Sequence, residues 1–229
     1  MTRSAKPLFQ AKKRKALDDP RQDPLLGDLP VQKAPVRVQD VRDKLDYDPT
    51  PRDATRAFLS AEGPRLREIG GPVWENAVGG GHMADVLTED GFDVIGSDIV
   101  DRGWPGTVLR PLEDFDAAPA RIAVTNPPYN KINARDGGGF WLTHTLSIGV
   151  RYAAFLLNWD WPLAAGLAPV LERHPFSRAY GCRWKIDFRG LGAPPNCNGW
   201  FVWDLDGPAP TAQRMILLNR ADPKQGVAL

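Results

Sequence analysis

The strongest constraint on the fold is an alternation of apolar runs, glycines and a carboxylate in the first half of the chain. Residues 72–75 predict a strand, the glycines at 79–81 predict a tight turn, and the apolar spacing of residues 82–89 predicts a helix. Residues 91–98 predict a second strand, which ends in Asp98. A glycine turn that opens a helix lets a ligand approach bare backbone, and an acid about twenty residues further on suits a ribose diol. The pattern predicts a ribose-containing cofactor, and by itself it fits NAD as well as SAM.

A second motif, Asn126-Pro127-Pro128-Tyr129, directly follows an apolar run at residues 122–125. Proline cannot donate to a sheet and biases its predecessor away from helical angles, so we expect a rigid loop at the carboxyl end of a strand, where open α/β sheets bind ligands. The Asn126 side chain and the Pro127 carbonyl offer acceptors, and Tyr129 offers a flat ring. Two acceptors beside a ring suit a planar amino group, such as the exocyclic amine of adenine. A proline-rich loop without such a role is the alternative.

These motifs, taken in their order, resemble those of the SAM-dependent amino-methyltransferases, especially the phage-type adenine-N6 DNA methyltransferases with an Asn-Pro-Pro-Tyr motif. The glycine turn reads Ala-x-Gly-x-Gly after a Glu, as in SAM enzymes, and differs from the Gly-x-Gly-x-x-Gly dinucleotide fingerprint. The resemblance covers about residues 47–220. It implies a doubly wound, Rossmann-like α/β fold with a seven-stranded sheet, the last strand being inserted antiparallel.

The resemblance also implies roles for individual residues. SAM would lie along residues 75–81, with its ribose on Asp98 and its adenine beside Asp114 and Phe115. The implied cofactor-binding residues are Thr50, Pro51, Glu75, Ala77, Gly79, Gly81, Asp98, Ile99, Asp114 and Phe115. For Thr50 and Pro51 an ordinary helix start is the alternative, and for Asp114 and Phe115 a surface turn.

The implied catalytic residues are Asn126, Pro127, Pro128 and Tyr129. The target amine would donate to the Asn126 side chain and the Pro127 carbonyl, while Tyr129 stacks on the base. A base in a duplex must be flipped out to reach such a site.

The glycine turn departs from the family pattern at three positions. Family members usually carry Pro and Cys where this chain has Asn76 and Val78, and often a polar residue where Gly80 stands. An extra glycine is expected to loosen the turn.

The expected activity is methyl transfer from SAM to the N6 amine of adenine in DNA by a stand-alone phage or prophage enzyme. Two alternatives stay open: methylation of another planar amine, in a protein glutamine or an RNA base, and a catalytically degenerate fold that binds nucleic acid. Residues 130–139 form a polar, glycine-hinged loop, a candidate lid or nucleic-acid clamp. In it Lys131 and Arg135 are either phosphate contacts or solvated charges.

Length and composition predict one domain between two tails, and the resemblance implies that this domain, residues 45–220, is a methyltransferase domain. Residues 1–44 carry a basic run at 12–15 and few large apolar residues, which favours a flexible N-terminal tail, with a phosphate-binding arm as the alternative; residues 221–229 are expected to form a C-terminal tail. The net charge of +1 excludes coating of nucleic acid by charge alone. The two cysteines and three histidines show no metal-binding spacing, and no apolar segment is long enough to span a membrane. We therefore expect a cytoplasmic protein without a metal, and the oligomeric state stays open.

Beyond residue 140 the sequence predicts helices at 140–150 and 163–171, and three strands at 152–157, 179–188 and 200–205. The tryptophans of this half suggest either base stacking or core packing, and we expect packing; they include Trp159, Trp161 and Trp184.

Overall fold

The computed structural model describes residues 47–192, 194–208 and 214–220. The tails predicted at residues 1–44 and 221–229 lie outside the described residues. In chain order the helices and strands are α1 Arg52–Ile69, β1 Val73–Glu75, α2 His82–Glu89, β2 Val94–Asp98, β3 Val108–Leu109, β4 Ile122–Thr125, α3 Tyr129–Ile132, α4 Phe140–Ser147, β5 Tyr152–Asn158, α5 Ala168–Arg173, β6 Arg178–Cys182, β7 Asn198–Asp204 and β8 Arg214–Leu218.

The strands form one eight-stranded sheet in the order β3-β2-β1-β4-β5-β7-β6-β8. The first five strands of the chain are parallel, β7 is inserted antiparallel between β5 and β6, and β8 runs parallel to β6. The predicted doubly wound α/β fold with an inserted antiparallel strand is confirmed. The strand count of seven is wrong by one, because β8 adds an edge strand beyond β6.

Two of the late predictions need correction. The strand expected at residues 179–188 leaves the sheet after Cys182, because its pairing with β7 stops at Gly181 opposite Gly199. The single helix expected at 163–171 is instead a 3₁₀ turn, Ala165–Leu167, followed by α5.

Apolar side chains form one core layer on each face of the sheet. Phe58 of α1 stacks on Trp200 of β7 with ring centroids 4.4 Å apart, in the layer that also contains α2. On the other face Trp161 is buried against Phe201 and Trp203, and Trp159 packs on Phe201. The packing expected of these two tryptophans is what the structure shows. Since β5 and β7 are covered on both faces, their sequences are apolar runs without alternation.

A buried carboxylate joins α1 to the late strands. Glu62, which is 2% exposed, accepts hydrogen bonds from the hydroxyls of Tyr152 and Tyr180 and from Arg178, whose Nη2 lies 2.7 Å from Oε2. Burial raises the pKa of both tyrosines and the Glu62 charge raises it further, so both stay protonated donors. Glu62 thus accepts hydrogen bonds from three residues on two strands.

Within the described part of the chain, every helix is too short or too polar to cross a membrane.

We expect Glu62→Ala to lower the free energy of unfolding by about 3–5 kcal/mol, because it leaves two tyrosine hydroxyls without their acceptor in a buried site and Arg178 with Asp204 in place of two carboxylate partners. Urea unfolding followed by circular dichroism measures this change. Glu68→Ala is the matched control: Glu68 lies on the same helix and pairs with Arg65 at 2.8 Å, but its side chain is 71% exposed, so we expect about 0.5 kcal/mol or less. Equal losses in the two variants would contradict the role of Glu62.

Candidate active site

A cavity of about 230 Å³ opens at the carboxyl ends of β1, β2 and β4. This is the edge of the sheet at which the sequence predicts ligand binding. Eight of the predicted site residues line it: Thr50, Glu75, Ala77, Asp98, Ile99, Asn126, Pro128 and Lys131.

The glycine turn after β1 is held by the carboxylate that ends β2. The Gly79 N–H donates to Asp98 Oδ2 at 2.8 Å, and the Val100 N–H donates to Oδ1 at 3.1 Å. Gly79 and Gly81 have φ angles of 55° and 80°, a region that favours glycine. A Cβ at Gly81 would lie 1.8 Å from the ring of Trp104, so the turn also needs glycine for space. Neither glycine is among the lining residues; the residues on both sides of the turn, Val78 and His82, line the cavity.

Tyr47 explains the departure at Gly80. The Gly80 N–H donates to the Tyr47 hydroxyl at 3.2 Å, and a Cβ on Gly80 would lie 2.9 Å from that oxygen. The Tyr47 ring lies over Gly79, and the Arg102 guanidinium makes a cation–π contact with this ring, 4.0 Å from its centroid. The extra glycine therefore lets an aromatic side chain approach the turn and hold it.

The departure at Asn76 also has a structural reason. Asn76 is buried, its Nδ2 donates to Thr145 Oγ1 at 3.2 Å, and its Oδ1 accepts from Trp141 Nε1 at 3.1 Å. Both partners lie on α4. Asn76 therefore ties the end of β1 to α4, a connection that a proline could not make because it has no side-chain polar group. Val78, the third departure, donates its N–H to the Ser97 carbonyl at 3.0 Å.

Asn126 lies where β4 ends and presents an acceptor. Its Nδ2 donates to the Asp48 carbonyl at 3.2 Å, and its Oδ1 is buried with no hydrogen-bond partner among the described residues. Because the amide nitrogen is held, the free oxygen is fixed in orientation. A buried acceptor without a partner costs about 1–3 kcal/mol, which a ligand donor would recover.

The rest of the motif is divided between the cavity and the core. Pro128 lines the cavity, whereas Pro127 is buried and is not among the lining residues. Tyr129 begins α3 and packs against the core layer that contains α4, outside the cavity lining. Two other aromatic residues, Tyr47 and Trp141, line the cavity instead.

The residues implied to contact the adenine lie just beside the cavity. Asp114 is exposed, and Phe115 is buried against Trp74 with ring centroids 5.0 Å apart. The cavity is lined by the two preceding residues, Leu112 and Glu113. The 3₁₀ turn Leu112–Asp114 rotates the segment so that its beginning faces the cavity and Phe115 faces the core. Pro51 immediately precedes α1, next to Thr50.

Residues 130–139 form a compact turn. A Cβ on Gly137 would lie 2.1 Å from the carbonyl carbon of Lys131, and both Gly137 and Gly138 donate their N–H to the Asn133 carbonyl. Gly137 therefore allows close packing, whereas Gly138 and Gly139 have φ angles of 53° and 75°, a region that favours glycine. Lys131 lines the cavity and pairs with Glu113 at 3.2 Å, whereas Arg135 is exposed and outside the lining.

Glu75, at the end of β1, is a buried carboxyl group with a raised pKa. Burial raises the pKa of its carboxyl well above the ordinary value of 4.5, the Ala84 N–H opposes this, and the charges of Asp98 and Asp85 raise the pKa further. Its Oε2 has no partner among the described residues. Glu75 lines the cavity, and its raised pKa favours the protonated carboxyl over a wider pH range than in the unfolded chain. The part of the chain that the structure describes contains no cluster of three or more His, Cys, Asp or Glu able to hold a metal.

Several cavity residues were not foreseen in the sequence. Some adjoin the motifs and share their signal, such as Asp48 near Thr50, His82 after Gly81 and Asn130 after Tyr129. Others reach the cavity only through tertiary packing and have no local signal; they are Trp141, Arg102 and Arg110.

The chain matches no protein-family model and no curated protein sequence. Its structure is similar to that of a Listeria monocytogenes protein assigned to the class I SAM-dependent methyltransferases, at 12% identity and a TM-score of 0.55, over 80% of this chain and 69% of that one. It is also similar to a Pyrococcus horikoshii protein assigned to the RNA methyltransferases, at 14% identity and a TM-score of 0.56, over 70% of this chain and 87% of that one. The chain has the fold of the class I SAM-dependent methyltransferases.

The raised pKa of Glu75 predicts a pH dependence of stability. The unfolded chain releases this proton near pH 4.5 and the folded chain at higher pH, so between the two values the folded state binds more protons and its stability falls as pH rises. We expect Glu75→Gln to be more stable than the wild type by a margin that grows from pH 4.5 upward, by at most about 1.4 kcal/mol per pH unit. Urea unfolding across this pH range measures it.

Glu113→Gln is the matched control, because pairing and hydrogen bonding lower the pKa of Glu113. The difference in free energy of unfolding between Glu113→Gln and the wild type should change only as pH falls through 4.5 and below. In that range the wild type loses the stabilisation that the charged Glu113 provides. A margin for Glu75→Gln that stays constant above pH 4.5 would show that Glu75 is ionised in the folded state.

Proposed function

We propose that this chain transfers a methyl group from SAM to the N6 amine of adenine in DNA. The observation that carries the proposal is Asn126, which lines the same cavity as Asp98 and residues 75–78, and whose oriented Oδ1 has no hydrogen-bond partner among the described residues. A planar amine is a ligand that supplies the missing donor. The class I fold supports the choice of cofactor.

The residues around the glycine turn fit SAM. Asp98 lines the cavity and, although each of its oxygens accepts one backbone N–H, each keeps a lone pair for a ribose hydroxyl. Glu75 Oε2 is a second buried group with no partner among the described residues, and it suits a polar ligand group above β1. When bound, SAM supplies an electrophilic methyl group on a sulfonium centre.

The target amine would be held by Asn126, whose Oδ1 accepts one amine hydrogen. The Pro127 carbonyl, the second acceptor that the motif implies, belongs to a buried residue outside the cavity lining, so the proposal rests on Asn126. The hydrogen bond to Asn126 would raise the electron density on the amine nitrogen as it attacks the methyl carbon. The nitrogen becomes acidic only after alkylation, so no general base is needed before transfer, and positioning supplies most of the acceleration. An adenine in a duplex would be flipped out first, at a cost of a few kcal/mol.

An RNA base is the second candidate substrate. It presents the same planar amine, and the similar Pyrococcus horikoshii structure is assigned to an RNA methyltransferase. Parallel assays on DNA and RNA of the same sequence separate the two candidates.

We expect SAM to bind the wild type in titration calorimetry and Asp98→Asn to bind about 10- to 100-fold more weakly, because a hydrogen bond to a charged group is worth about 1.5–3 kcal/mol. Asp101→Asn is the matched control: Asp101 is exposed, accepts the Gly103 N–H at 2.8 Å and does not line the cavity. A wild type that binds no SAM would end the proposal.

We expect Asn126→Ala to reduce the rate of methyl transfer to adenine on the order of 10²–10³-fold, the usual cost of removing one positioned hydrogen-bonding group. The affinity for SAM should stay within about twofold, because the lost acceptor faces the amine and not the cofactor. Asn133→Ala controls for the loss of an amide near the cavity, since Asn133 is not among the lining residues. An unchanged rate in Asn126→Ala would assign the amine to another acceptor.

A further inference from the structure

The segment after β6 turns three cations outward. Trp184, Ile186 and Phe188 pack inward, against the core layer that includes α1. Of the side chains that alternate with them, Arg183, Lys185 and Arg189 are exposed, and we call these three the cationic strip, whereas Asp187 is half-buried.

Two of these charges are hydrogen-bonded to neutral acceptors. Arg183 Nη1 donates to Asn219 Oδ1 at 3.4 Å, and Lys185 Nζ donates to the Pro195 carbonyl at 3.3 Å. Since neither acceptor carries a charge, the positive charge of Arg183 and Lys185 is not compensated by these bonds. Exposed cations of this kind attract an anionic partner.

The third cation connects the strip to the candidate active site. Arg189 Nε pairs with Asp48 Oδ1 at 2.9 Å, and the carbonyl of the same Asp48 accepts from Asn126 Nδ2 at 3.2 Å. The strip is therefore connected, through Asp48 alone, to Asn126, which is the acceptor proposed for the target amine.

An apolar tip lies at the end of the strip. The Asp187 carboxylate accepts backbone N–H groups from Arg189, Leu191 and Gly192, at 3.3, 3.2 and 2.6 Å. These bonds fix the turn, and Leu191 projects from it with 67% of its surface exposed. A fixed leucine beside cations suits a partner with apolar faces next to its charges.

We infer that residues 183–192 bind a nucleic-acid strand, with Arg183 and Lys185 on its phosphates and Leu191 against its bases. A nucleic acid offers both groups side by side, because each nucleotide carries one phosphate and one flat base. This inference rests on the proposed function and assigns the class of its substrate: the strand lies along the strip, and its target base reaches Asn126 past the Arg189–Asp48 pair.

The test measures binding of a fluorescein-labelled single-stranded DNA by anisotropy, in the absence of SAM and over a range of salt concentrations. We expect Arg183→Ser/Lys185→Ser to lower the affinity about 10- to 30-fold at 0.1 M salt. The slope of log affinity against log salt should fall by about 1.4, since each phosphate contact on a single strand contributes about 0.7. Leu191→Ser should lower the affinity about fivefold with the slope unchanged, because an apolar contact releases no counterions.

Arg121→Ser/Arg173→Ser is the matched control, since it removes the same charge from exposed sites that directly precede β4 and end α5. Both lie toward the amino ends of the strands, away from the cavity. Equal losses in the strip and control variants, or unchanged binding in both, would overturn the inference and leave an acidic protein as the partner of the strip. An RNA of the same sequence shows which nucleic acid the strip prefers.

Because these assays use neither SAM nor turnover, the two proposals fail separately. Strip-dependent binding without methyl transfer would refute the proposed function alone. Methyl transfer to a nucleic acid by the wild type, with a rate and affinity unaffected by the strip variants, would refute this inference alone.

Discussion

The hydrogen bond from the Gly79 N–H to the Asp98 carboxylate is the contact on which the site depends. It joins the turn after β1 to the end of β2, beside the bond from the Val78 N–H to the Ser97 carbonyl. The bond holds the turn in the left-handed backbone region that its glycines allow, and Glu75 and Asp98, which end the two strands, both line the cavity. A carboxylate that organises the backbone and also lines the cavity is pre-ordered, so the binding of a ligand to it would need little further loss of conformational entropy.

The short segment before α1 extends this order to the other half of the cavity. Tyr47 contacts the glycine turn through its hydroxyl, Asp48 holds the Asn126 amide through its carbonyl, and Thr50 is buried in the lining. One stretch of chain thus contacts both the glycine turn and Asn126. Since Arg189 pairs with Asp48, the loop after β6 joins the same set of contacts. A change in this segment would therefore alter the cavity both at the glycine turn and at Asn126.

The sequence predicts the parts of this structure that follow from local periodicity. The apolar runs of β1, β2, β4, β5 and β7, the glycine turn and the polar residues at the strand ends are all local signals, and the sheet edge then brings them together. Features of the structure that depend on tertiary packing are not predicted from the sequence. Trp141 enters the cavity because Asn76 binds its indole, and β8 is a short edge strand whose pairing with β6 no local pattern reveals. Asp114 and Phe115 show a third limit of prediction from sequence. The sequence places their segment beside the cavity, but the 3₁₀ turn Leu112–Asp114 determines which of its residues face the cavity.

Two of the three departures from the motif, at Asn76 and Gly80, are better understood as replacements than as losses. Where the family motif has a proline, Asn76 makes two buried hydrogen bonds to α4. Where the motif often has a polar side chain, Gly80 leaves space for the close approach of Tyr47. Each replacement needs its partner: Trp141 without Asn76 would bury an indole N–H, and a larger residue at 80 would collide with the Tyr47 hydroxyl. A turn that looks loosened in the sequence is held from both sides in the fold. In this chain the path of the turn is therefore stabilised by Tyr47 and by the hydrogen bonds of Asn76 to α4.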